Sequence, residues 1–266
     1  MAHVLHTVTA ACYLLAALAA AAGLALRVRA AQRAGVFLLA GGALIHAAAF
    51  WQLHTLVPTP SLTELPLASS LMAWLAVVSF LLLHARVRGL ALAALVAPAA
   101  FLGAFAGALW LGVRTGSGEE LHPILAHVHI VLASAGFALL GVAGAAGALY
   151  LVHHRAIKAK RAAAQSALPS LEALDRANGA ALALGFTLLS LGVLSGVLWV
   201  LESQGQLWPD GVTAKHANAT LLAWLLYAGV AVLRFGKRES ARRAALQSAC
   251  GFALLLVAVV GLRVLP

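Results

Sequence analysis

The chain has 266 residues, 63% of them hydrophobic and 10% charged, with a formal net charge of +10 and a mean hydropathy of +0.96. A soluble domain is closer to about a quarter charged, so the composition excludes a soluble globular protein and points to one polytopic bundle in a membrane. The excess of base does not mark a nucleic-acid binder, because the Lys and Arg residues sit in short loops between apolar runs, where they set topology.

Uncharged runs predict eight spans, near Val4–Leu26, Ala34–His54, Pro66–Leu83, Gly89–Val113, His122–Val152, Asn178–Leu201, His216–Leu233 and Ala244–Leu262. Each is about the 20 residues that a bilayer needs. The expected fold is therefore an all-α polytopic membrane helix bundle, one domain over residues 1–266. The opening MAHVLHTV lacks the positive segment of a signal peptide and reads as the start of the first span.

The loops alternate in charge. The first, third, fifth and seventh carry 15 of the 18 basic residues, among them Arg27, Arg29, Arg33, Arg155, Lys158, Arg234 and Arg242. The even loops carry Glu64, Glu119, Glu120, Glu202 and Asp210, with only Arg114 and Lys215 basic. The positive-inside rule then puts the odd loops in the cytoplasm and both termini outside. The long fifth loop contains LPSLEALD, Leu168 to Asp175, whose leucines Leu168, Leu171 and Leu174 recur every third residue. That spacing predicts a short amphipathic turn on the membrane surface.

The stretch from Leu121 to Leu151 is the most informative. His122, His127 and His129 crowd its first third, and Gly136, Gly141, Gly144 and Gly147 give it smooth faces for close helix contact. Ionisable side chains inside a membrane tend to mark a site. On this topology, eight of eleven histidines and all six tryptophans fall in the outer half. His46 lies eight residues below His54, ~12 Å, and His129 seven below His122, ~10 Å, at 1.5 Å per residue. Two imidazoles at matched depth on different helices can clamp a haem iron axially. His127 is two residues from His129 and points roughly the opposite way, so only one of them can face a given pocket.

Simpler readings compete. A lone intramembrane His can hydrogen-bond a neighbouring backbone and do no more; His3, His6 and His54 read as ordinary interfacial residues, and His216 at a helix start is open. Gly192-x-x-x-Gly196 reads as a packing motif with no chemistry. Cys12 and Cys250 form no CxxC, and the histidines lack the Cys, Met or carboxylate partners that zinc or copper transport would want. No hydrolase triad, phosphate-binding loop or HExxH is present.

Several segments together resemble the cytochrome c assembly family, membrane proteins of the CcsA, ResC and HemX type. They are LPSLEALDRANGAALALGFTLLSLGVLSGVLW (Leu168–Trp199), GALIHAAAFWQLH with ELPLASSLMAWL (Gly42–Leu75), HVHIVLASAGFALLGVAGAAGALYL (His127–Leu151) and TLLAWLLYA (Thr220–Ala228). The family's tryptophan-rich WWD segment is reduced here to Trp208-Pro209-Asp210, and Val232 stands where larger members carry a helix histidine, so the chain looks most like the smaller HemX-like branch. Of the family's histidines, His46 and His127, with His129 as neighbour, match by position, and His216 falls near the end of the WWD-like loop.

The resemblance implies a haem-binding protein of the inner (cytoplasmic) membrane that handles haem, b-type and non-covalent, for cytochrome c biogenesis. It implies no bond-making chemistry of its own, and as partners the lipid bilayer and other cytochrome c maturation or haem-synthesis proteins. The alternatives are a membrane regulator of haem biosynthesis and a bis-His b-type cytochrome. The expected cofactor-binding residues are His46, His127, His129 and His216, with His46 and one of His127 or His129 as iron ligands.

Overall fold

The computed structural model describes residues 1–56, 60–62, 64–87, 90–113, 124–160, 168–205, 211–237 and 239–264. His122, Trp208, Pro209 and Asp210 lie outside the described residues, as does the side chain of His216. Among the described residues the long helices are α1 (Ala2–Ala25), α2 (Arg29–Leu53), α3 (Leu65–Val87), α4 (Ala93–Val113), α5 (Ile124–Lys158), α6 (Leu171–Gln204), α7 (Gly211–Ala231) and α8 (Ala241–Val264). A 3₁₀ turn, Leu90–Leu92, leads into α4, and a π-helical turn, Val232–Gly236, ends α7. Seven of the helical segments among the described residues are long and apolar enough to cross a membrane. The chain is a multi-pass helical membrane protein. Its Ala- and Leu-rich helices satisfy their backbone groups internally, as a hydrocarbon solvent demands.

Every predicted span coincides with a helix, but most of the helices run longer. α2 takes in Arg29 and Arg33, α5 continues through Arg155 to Lys158, and α6 starts at Leu171 rather than Asn178. Charged residues end the apolar run without ending the helix, because long basic side chains reach to water from a helix that continues past the hydrocarbon.

The chain divides into two compact units, residues 1–122 with 152–174, and residues 123–151 with 175–266. In the first unit, α1 packs against α2 and α4, and α3 against α4. Arg27, in the left-handed region at φ 60°, makes the α1–α2 turn. Gln32 then ties the two helices by donating to the Gly23 carbonyl at 3.1 Å. The face of α1 turned inward is Ala2, His6, Thr9, Ala10, Tyr13, Ala16, Ala17, Ala20 and Gly23, a seam of small residues interrupted by an imidazole and a phenol.

In the second unit the glycines of α5 do what their spacing predicts. Gly136 backs onto the Leu189 backbone, Gly141 and Gly144 onto the Phe252 ring, and Gly147 onto the Ala245 carbonyl. α5 thereby lies close to both α6 and α8. Trp224 on α7 donates its indole N–H to Ser190 on α6 at 2.9 Å, and its ring stacks on Phe186 at 5.9 Å.

LPSLEALD is not a separate surface turn. It ends in the first turns of α6, where Ser170 Oγ accepts the Ala173 N–H at 3.2 Å as a helix cap. His153 donates its Nδ1–H to the Pro169 carbonyl at 2.8 Å. Leu174 is fully buried, and Leu168 and Leu171 are half-buried. The three-residue spacing thus marks the start of a long helix, and its leucines dock on protein.

Candidate functional site

His129 stands on α5 with its Nδ1 2.7 Å from the Gly192 carbonyl of α6. A carbonyl only accepts, so Nδ1 carries the proton and the lone pair is on Nε2. Nε2 has no hydrogen-bond partner among the described residues. The ring can come this close because α6 offers glycine: a Cβ on Gly196 would lie 2.7 Å from both Nδ1 and Cε1 of His129. Gly192 takes the α5 backbone itself, since a Cβ there would lie 2.8 Å from the Ala133 nitrogen. The Gly192-x-x-x-Gly196 pair therefore seats a histidine as well as a helix, which its reading as a bare packing motif missed. Trp199 covers the imidazole, stacked at 6.2 Å and 25°. A His fixed at Nδ1 by a backbone carbonyl, with Nε2 left open, is the arrangement that metal-ligating imidazoles ordinarily show.

His127 is half-buried on the same helix, two residues before His129. That offset turns it away from the Gly192–Gly196 seat. The backbone of His216 lies in α7.

His46 lies in the first unit, fully buried. Its Nε2 is 2.9 Å from Ser70 Oγ and its Nδ1 3.3 Å from the Tyr13 hydroxyl. Both partners reach it across glycines: the Tyr13 ring lies over Gly42, one turn from His46, and Ser70 lies against Gly107. Phe50 stacks on the His46 ring at 4.9 Å, and Trp74 flanks Phe50 while donating to the Ala43 carbonyl at 2.9 Å.

His6 departs from its expectation as an interfacial residue. It is fully buried, its ring 5.4 Å from those of both His46 and Phe50. Its Nδ1 is 3.0 Å from the Ala2 carbonyl, and its Nε2 is buried with no hydrogen-bond partner among the described residues. The readable signal was periodicity: His6 and Tyr13 are seven apart in the small-residue seam of α1 and so share its packed face. His3 and His54 are exposed, as expected of interfacial residues. Trp51 is 75% exposed, whereas Trp74 in the same unit flanks Phe50 beside His46.

Among the described residues no three His, Cys, Asp or Glu side chains converge as a metal-binding set. What the chain offers instead is imidazoles walled by aromatic rings, two of which, His6 and His129, are tethered at Nδ1 by a carbonyl. That suits an iron whose porphyrin supplies four ligands and which asks the protein for one or two.

A family model described as "Cytochrome C assembly protein" matches residues 62–266. That stretch holds His127, His129 and His216 and leaves out α1 and α2 with His6 and His46. Among curated proteins, "Cytochrome c biogenesis protein CcsA" of Prochlorococcus marinus (strain MIT 9303) is 33% identical over 98 residues, covering 37% of this chain and 30% of that protein. The protein of the same name from Synechococcus sp. (strain WH7803) is 30% identical over 94 residues, covering 35% of this chain and 28% of that one. The similarity thus spans under a third of the length of these curated relatives.

Proposed function

We propose, from the premise that the chain belongs to the cytochrome c assembly protein family, that it binds haem and handles it for cytochrome c biogenesis. The observation that carries this reading is His129, anchored through Nδ1 on the Gly192 carbonyl at 2.7 Å with Nε2 open. Haem held there would be b-type and non-covalent and would supply an iron able to accept an imidazole nitrogen. His129 would provide that nitrogen. Gly192 holds the ring in one tautomer and one orientation, Gly196 leaves room for it, and Trp199 shields one of its faces. His127 and His216 belong to the same matched stretch and serve as auxiliary contacts in this reading.

In this reading the basic, odd-numbered loops face the cytoplasm of a cytoplasmic membrane, which the alternation of loop charge supports through the positive-inside rule. The partners that follow are the bilayer and other proteins of cytochrome c maturation or haem synthesis. Curated relatives named for cytochrome c biogenesis support the process.

The test is the absorption spectrum of the detergent-purified chain, as isolated and after addition of hemin. A Soret band, with a sharp α-band on reduction, is expected for the unaltered protein. His129→Ala should lose much of the bound haem, and Trp51→Ala should lose none. An unaltered protein that takes up no hemin would sink the reading.

A further inference from the structure

We infer that His6, rather than His46, is the iron-donating histidine of the first unit, and that His46 positions it. The inference rests on the haem reading above and names a second donor outside the family-matched residues 62–266.

An imidazole that ligates iron needs one nitrogen bare and benefits from an anchor on the other. His46 fails the first condition, because Ser70 and Tyr13 occupy its two nitrogens at 2.9 and 3.3 Å. Freeing either nitrogen would leave a hydroxyl unpaired in a closed core, which is costly because a buried polar group then loses its partner without regaining water. His6 meets both conditions. The Ala2 carbonyl 3.0 Å from Nδ1 accepts its proton, which puts the lone pair on Nε2. That Nε2 has no hydrogen-bond partner among the described residues, on a ring that is 0% exposed. Buried acceptors are nearly always paired, so an orphan this deep asks for a ligand. The same pattern, a carbonyl at Nδ1 and an open Nε2, recurs at His129 in the other unit.

The surroundings of His6 suit a flat apolar ligand. Its anchor, Ala2, belongs to a small core cluster with Leu53 and Leu67. Over that cluster lie Phe50, Leu56, Leu62, Trp110 and Leu111, all only partly buried. A cap of partly buried apolar side chains can be displaced by a porphyrin face at little hydrophobic cost, because one apolar contact replaces another. Phe50 is the side chain of that cap that also touches His6. His46, fixed from both ends, holds its ring edge-to-face with His6, at 84°, and so sets the tilt of the donor.

The experiment is done on the full chain in detergent, in the His129→Ala background, with hemin as the probe. Binding is read by Soret titration and by the spin state in electron paramagnetic resonance. Residual hemin binding is expected. His6→Gly should weaken it by about tenfold or more, and free imidazole should restore both the affinity and the low-spin signal. His46→Gln, which can still pair with Ser70 and Tyr13, should keep hemin bound within a few-fold while changing the spin-state signal. Phe50→Ala should load faster. If His129→Ala binds no hemin while the unaltered chain does, the inference is overturned and the haem reading stands. The inference is likewise overturned if His46→Gln abolishes binding and His6→Gly does not. If the unaltered chain binds none, the haem reading itself has failed.

Discussion

Gly196 lies beneath the His129 ring so closely that a methyl group on its Cα would sit 2.7 Å from two ring atoms. The backbone of α6 and the imidazole of α5 thus occupy a space that no other residue type at position 196 allows. Seat and ligand donor are on different helices, which ties the chemistry of His129 to the packing of α5 on α6.

Gly196→Ala should therefore push His129 off the Gly192 carbonyl. Overpacking of this kind costs about 1–3 kcal/mol, so the melting temperature in detergent should fall, and haem content should fall with it. Gly229→Ala is the control, because a Cβ there meets nothing within 4 Å; it should leave both unchanged or raise stability slightly, as Ala favours helix. Wild-type haem content and a wild-type spectrum in Gly196→Ala would show that the seat does not matter.

The Arg234 guanidinium reaches Asp175 Oδ1 at 2.7 Å from the π-helical turn at the end of α7, and the two side chains are only 14% and 29% exposed. Asp175 is the last residue of LPSLEALD, so the motif's carboxylate fastens α6 to the end of α7. Removing one partner of a partly buried pair strands the other. Asp175→Asn and Arg234→Met should each destabilise the chain, and the double variant should cost less than their sum, with a coupling on the order of 1 kcal/mol. Strictly additive losses in a denaturant cycle would show that the pair is not energetically coupled.

Leu174 and Leu168 stand three-residue steps apart in the same motif, yet Leu174 is 0% exposed and Leu168 is half-buried. Leu174→Ser should lower the midpoint of thermal unfolding well below that of Leu168→Ser. Truncating a fully buried leucine costs about 2–5 kcal/mol, and the serine adds a hydroxyl to the core. Equal shifts would mean that the motif lies on a surface, as its spacing alone predicts.

The helices that hold the predicted spans, seven of them among the described residues long and apolar enough to cross a membrane, the close-contact role of the α5 glycines and the family were all legible in the residues. These depend on local quantities: hydropathy over about 20 residues, the spacing of glycines along one face, and a linear motif. The surroundings of the histidines were not legible. Whether His6 meets lipid or core is decided by the rotation of α1 about its axis, and that rotation is set by what α2 and α4 place against it. His46 looked like a free ligand because nothing in the chain marks Tyr13, 33 residues away, or Ser70, 24 away, as its partners. The Gly192–Gly196 pair read as packing because a GxxxG motif does not record what rests on it; His129 is 63 residues distant from its anchor. Hydropathy could place each helix in the membrane, but only the tertiary packing decided which nitrogen on which ring was left open, because that depends on how helices far apart in sequence turn toward one another.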